Sequence, residues 1–123
     1  MRLIPLSVFA LLAGCATVPP PTAAEGTTVD IPNGVHVGKL VAVPQVLLED
    51  SRCPMNARCV WAGRAVLSTR IYGPGFDETV PLVLGEPYAL HGTSITLTSV
   101  QPDKMTGEEI PAPNYRFGFE GGQ

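Results

Sequence analysis

Apolar residues in the body of this chain recur at every second position, and nowhere do they hold the helical spacing of about 3.6 residues. A chain patterned this way folds into sheets, because successive side chains of a strand point to opposite faces. Val41, Val43, Val46 and Leu48 mark a long strand from about Leu40 to Glu49, and the phase break at Pro44 predicts an edge position or a bulge. Trp61, Ala65, Leu67, Thr69 and Ile71 describe a second, with Gly63 as its bulge. Ile95, Leu97 and Ser99 alternate with Thr96, Thr98 and Val100, and Tyr115, Phe117 and Phe119 alternate with Arg116, Gly118 and Glu120. Shorter strands fit Val29 to Ile31 or Val35 to Val37, Thr79 to Val83, and Tyr88 to His91. Turn signals separate them at Pro32-Asn33-Gly34, Gly73-Pro74-Gly75, Leu84-Gly85-Glu86-Pro87 and His91-Gly92-Thr93. The spacing predicts an all-β domain, an antiparallel β-sandwich of about seven strands. An immunoglobulin-like topology is one form of it, and a small β-barrel is the alternative.

The N-terminus has a different character. An apolar run from Leu3 to Ala13 follows the single positive charge of Arg2 and ends in Leu11-Leu12-Ala13-Gly14-Cys15. The run contains Pro5 and falls far short of the roughly 20 apolar residues that cross a bilayer as a helix, so its flanks and length read as a signal peptide over residues 1–14. The junction resembles the lipobox of bacterial lipoproteins. That resemblance implies cleavage before Cys15, attachment of a diacylglyceryl group to its thiol, and a membrane anchor of two or more acyl chains, which holds stably where one chain does not. In that family an Asp directly after the acylated cysteine marks retention in the inner membrane. Ala16 stands there instead, which implies the periplasmic face of an outer membrane. Residues 15–28 then form the lipidated cysteine and a tether carrying Pro19, Pro20 and Pro21. Extended polyproline at about 3.1 Å per residue would hold the domain some 30 Å from the lipid. The β-sandwich takes residues 29–123.

Roughly ninety residues make one small domain, marginal on its core alone. Three cysteines in an oxidising compartment offer help, and with Cys15 spent on lipid, Cys53 and Cys59 remain as a pair. A bond between them closes a loop of about seven residues, a contribution of ~2 kcal/mol in the chain-entropy model. The formal net charge is −3, with its basic residues scattered singly. Without clustered Lys and Arg, neither nucleic acid nor a second, electrostatic membrane contact is expected.

The densest chemistry lies in Glu49-Asp50-Ser51-Arg52-Cys53-Pro54-Met55-Asn56-Ala57-Arg58-Cys59-Val60-Trp61-Ala62-Gly63. This run resembles the Asp-Ser-Arg-Cys-Pro and Cys-x-Trp-Ala-Gly signature of a group of small bacterial envelope proteins, and the likeness extends over Val35 to Glu120. It implies a shared β fold with a disulfide-closed connection, and it carries no activity across. Asp50 and Ser51 are turn-opening residues, and Pro54 stiffens the bend. Trp61, two residues past the bridge, is expected to enter the sandwich and pack on the sulfurs, as in immunoglobulin domains in outline. Arg52 either stacks on that ring or pairs with Asp50. The loop itself, with Met55, Asn56 and Arg58, is the first candidate surface for a protein partner, because a pre-ordered loop binds at low entropic cost. The connection from Pro102 to Asn114 is the second.

Catalysis finds no support in the sequence. There is no Gly-x-Ser-x-Gly, Ser-x-x-Lys or His-Glu-x-x-His, His36 and His91 stand alone, and Asp77-Glu78 and Glu108-Glu109 read as solvated acids. The expectation is a non-catalytic envelope module without a cofactor, with a protein-binding or structural role. Copper binding is the alternative, since Met55, Met105, His36 and His91 with Cys53 and Cys59 include soft ligands. Cys-x5-Cys lacks the spacing of zinc knuckles, and an oxidised bridge offers no thiolate, so no metal ligand set is assigned.

Overall fold

The computed structural model describes residues 22–123; the readings at the signal peptide, Cys15 and the tether to residue 21 lie outside the described residues. Seven strands form two antiparallel sheets. The first sheet holds β1 (Val35–Val37), β2 (Leu40–Asp50), β3 (Ala65–Gly73) and β4 (Phe76–Val83) in that order, and the second holds β5 (Pro87–Leu90), β6 (Thr93–Gln101) and β7 (Arg116–Gly121). The open sheets make a sandwich and not a barrel. Strand order is sequential in both, without the Greek-key crossovers of an immunoglobulin domain.

The inner faces carry Val37, Leu40, Ala42, Leu67, Ile71, Leu82, Ile95, Leu97 and Phe117, all fully buried between the sheets. In β2 the inward phase is Leu40, Ala42 and Pro44, so Val41 and Val43 face outward, where Gly34 packs over them. The break at Pro44 is a bulge, followed by another between Leu47 and Glu49. Val46, just past the first, and Leu48, within the second, are exposed. Pro44 also fits its place in the ladder. β1 pairs with β2 only as far as Ala42, so beyond it one side of β2 is a free edge that needs no donor there.

The segment before β1 belongs to the fold. Ala23 bridges to Val35 in parallel and Val29 bridges to Phe117, so residues 23–31 cross from the edge of the first sheet to the edge of the second. The stretch assigned from sequence to the tether therefore contributes its last residues to the body.

The two ends of the sandwich differ. At one end lie the two-residue turns Gly38-Lys39, Pro74-Gly75 and His91-Gly92. At the other, residues 51–64 join β2 to β3 and residues 102–115 join β6 to β7.

Candidate functional site

β2 does not stop abruptly at Asp50. Ser51 N–H donates to the Arg64 carbonyl at 2.8 Å and Cys53 N–H to the Ala62 carbonyl at 3.4 Å, so the β2–β3 hairpin continues as an irregular ladder beyond the sandwich. The Cys53–Cys59 disulfide closes its tip, with Cα atoms 5.9 Å apart. Gly63 lies ahead of β3, not within it. Its φ of +67° and its approach to the Ser51 carbonyl leave no room for a Cβ.

Beneath this tip sits a part-buried ionic cluster. Arg52 grips Asp50 with two bonds, Nε to Oδ1 at 2.7 Å and Nη2 to Oδ2 at 3.0 Å, in side chains only 14 % and 8 % exposed. Of the two alternatives for Arg52, pairing with Asp50 is the one formed. The same guanidinium donates to the carbonyls of Val100 at 2.8 Å and Pro102 at 3.1 Å. Tyr115 Oη donates to Asp50 Oδ2 at 2.8 Å, and Lys104 Nζ to the Asp50 carbonyl at 2.8 Å. Burial opposes ionisation of Asp50, but the bonds from Arg52 and Tyr115 and the charges of Arg52 and Lys104 hold its carboxyl below the usual range. The Arg52 guanidinium is raised, first by its bond to Asp50. Burial, with the bond to Asp50, pushes the Tyr115 phenol up to about 12.

The cluster joins the two candidate surfaces into one. Met55 N–H donates to the Lys104 carbonyl at 2.8 Å, and Thr106 N–H to the Asn56 side-chain oxygen at 2.8 Å. Asn56, though exposed like Met55 and Arg58, thus has its side-chain oxygen occupied in holding the two connections together. Trp61 corrects the sequence reading: it does not enter the sandwich. The ladder from Ser51 to Arg64 carries it past the sheet end, where it is 82 % exposed, beside Val60 at 89 %. The sequence reading missed this exposed pair and the roles of Lys104 and Tyr115 in the cluster. The only prior signal was the option of an Asp50–Arg52 pair.

A groove of about 860 Å³ flanks this end, between Ile31, the free edge of β2 at Val46 and Leu47, and the Ile110, Pro111 and Tyr115 side of the second connection. The histidines lie at the opposite end. His91 contacts Glu78 Oε1 through Nε2 at 2.6 Å and stacks on Phe76 at 4.0 Å, and His36 is on β1. They are thereby separated along the sandwich from Met55 and Met105. Among the described residues no group of three or more His, Cys, Asp or Glu side chains is placed to hold a metal ion. Comparison with known protein families, curated proteins and solved structures finds no match for this chain.

Proposed function

We propose that this protein is a lipid-anchored cell-envelope module, non-catalytic, that acts by contact through its Cys53–Cys59 end. One observation carries the contact role: Val60 and Trp61 stand almost fully in solvent on a hairpin that a disulfide and a part-buried ion pair hold in place. A rigid segment presenting large apolar side chains loses little entropy when it meets a surface, and aromatic, Met and Arg residues are the types enriched where surfaces meet. Met55 and Arg58, the residues expected from sequence to bind an envelope partner, are exposed on the same loop. The anchor rests on the Leu11-Leu12-Ala13-Gly14-Cys15 junction, and Ala16 favours the outer membrane.

Hydroxyl-radical footprinting tests the contact. Trp61 and Met55 are expected to be labelled several-fold less in intact envelopes than in purified protein, with His91 at the opposite end labelled equally in both. Equal labelling of Trp61 in both samples overturns the contact role. Fractionation tests the anchor separately: Cys15→Ala should leave the membrane pellet, and retention there rules the anchor out.

A further inference from the structure

The point of entry of the chain bears on what this end meets. Ala23 runs parallel to β1, bonded to the Gly34 carbonyl and the His36 N–H, and β1 runs antiparallel to β2. The chain therefore arrives at Ala23 from the side of the Cys53–Cys59 end. Cys15 precedes Ala23 by eight residues, and an extended chain gains at most about 3.6 Å per residue, so the two are no more than about 29 Å apart. Along β2, the rise from Ala42, opposite Val35, to Asp50 covers a similar eight residues, about 26 Å at strand spacing. The Val60–Trp61 tip continues past Asp50 along the same ladder, so a lipid at Cys15 reaches the end of the sheet and no farther out than the tip.

The tip suits what it would meet there. Trp61 and Val60 project too far into solvent to line a concave site, and two protruding side chains are small beside the roughly 800 Å² per partner of a stable protein interface. Tryptophan, with a large apolar ring and one N–H donor, favours the boundary between headgroups and acyl chains. The charge around it is mixed: Arg58 is exposed, Arg64 is paired with Glu49 at 2.6 Å, and Asp103, Glu108 and Glu109 lie on the neighbouring connection. The contact is therefore apolar, consistent with a chain that carries no basic cluster.

We propose that the Val60–Trp61 tip seats in the headgroup region of the bilayer that holds the Cys15 lipid, so that the domain stands on the membrane with its two-residue turns facing away. This rests on the anchor and contact readings above and names the contacted surface. The acyl chains supply retention, and the tip sets orientation.

Trp61 is the only tryptophan, so it reports on itself. The full lipidated chain is reconstituted in vesicles of phosphatidylethanolamine and phosphatidylglycerol, with no other protein present. Emission is expected to shift to the blue relative to Cys15→Ala in buffer. Lipids brominated near the headgroup should quench it at least twofold more than lipids brominated deep in the chain, and replacing phosphatidylglycerol with phosphatidylcholine should change little. Val60→Ser, which keeps the reporter, should weaken the quenching. Unshifted emission, open to aqueous iodide and untouched by brominated lipid, overturns the proposal. If Trp61 is nevertheless protected in whole envelopes, the contact role stands and its partner is a protein. If Trp61 is exposed in both, the contact role falls too.

Discussion

The two ends of this sandwich are built on opposite principles. The end with Gly38, Gly122 and His91 is closed by two-residue turns and by backbone packed on backbone: Lys39 N–H donates to the Gly122 carbonyl at 2.9 Å, and Gly122 N–H to the Ser94 carbonyl at 2.8 Å. No room is left for a Cβ at Gly122, which sits at φ +73° against the Val37 carbonyl. The end with Cys53 and Cys59 carries two long connections and holds them with side-chain chemistry: a disulfide, the Asp50–Arg52 pair, and bonds from Tyr115 and Lys104. Short turns need only local geometry. Long connections need buried polar partners, and in return they can hold apolar side chains in solvent.

The largest effect expected from breaking this contrast, matched only at Gly122, comes from Asp50→Ala. It strands the part-buried Arg52 guanidinium, and removing one member of such a pair costs about 3 kcal/mol, the low end for buried pairs. Urea denaturation of parent and variant measures it, and a loss below about 1 kcal/mol would mean that the ion pair does not hold this end. The acid titration of the parent gives the sign independently. Because the folded carboxyl titrates below its unfolded value, its stabilisation is present above about pH 4 and is lost as pH falls through the lower folded value. Asp50→Ala should lack that step. Tyr115 runs the other way: its raised phenol favours folding up to about pH 10, and that contribution is lost toward about pH 12.

At the opposite end Gly122→Ala should cost about 3 kcal/mol, since the added methyl meets the Val37 carbonyl and the backbone is left-handed. A neutral result in the same denaturation assay would show that the turns are not packed as tightly as described. Cys53→Ser with Cys59→Ser should lose about 2 kcal/mol, the value for a short loop, and the parent in reducing buffer should match the double variant. The smallest effect sharpens the contrast most. Trp61→Ala should change stability by about 0.5 kcal/mol or less, as for an exposed side chain, while abolishing the protection of this tip in envelopes. A cost of several kcal/mol would return Trp61 to the core.

Strand alternation was legible where a strand is buried on one face. β3, β6 and β7 fall close to the positions expected from Leu67, Ile71, Ile95, Leu97, Phe117 and Phe119, because a period of two leaves little choice of which face turns inward, although in β6 a bulge after Leu97 turns Val100 inward in place of Ser99. It misled in β2, where Val41 and Val43 look like core residues and are not. The apolar alternation there has two acceptable phases, and the smaller Ala42 and Pro44 were chosen by the opposing sheet. Trp61 failed for a related reason. Its type and its distance from Cys59 suggested burial, but the hairpin continues past the sheet end, and no local property of the chain sets where that end falls.

What the sequence by itself determined is therefore what depends on neighbours along the chain: the β class, the turns at Gly-rich junctions, and a bridge between cysteines six residues apart. Only the tertiary structure decided that Asp50, Arg52, Val100, Lys104 and Tyr115 meet, that Asn56 ties two distant connections, and that Trp61 is left outside. Apart from Asp50 and Arg52, which are near neighbours, the partners in those contacts stand about fifty residues or more apart, and their meeting follows from strand order and register. Side-chain type limits which groups can pair, but the packing of one sheet on the other selects which ones do.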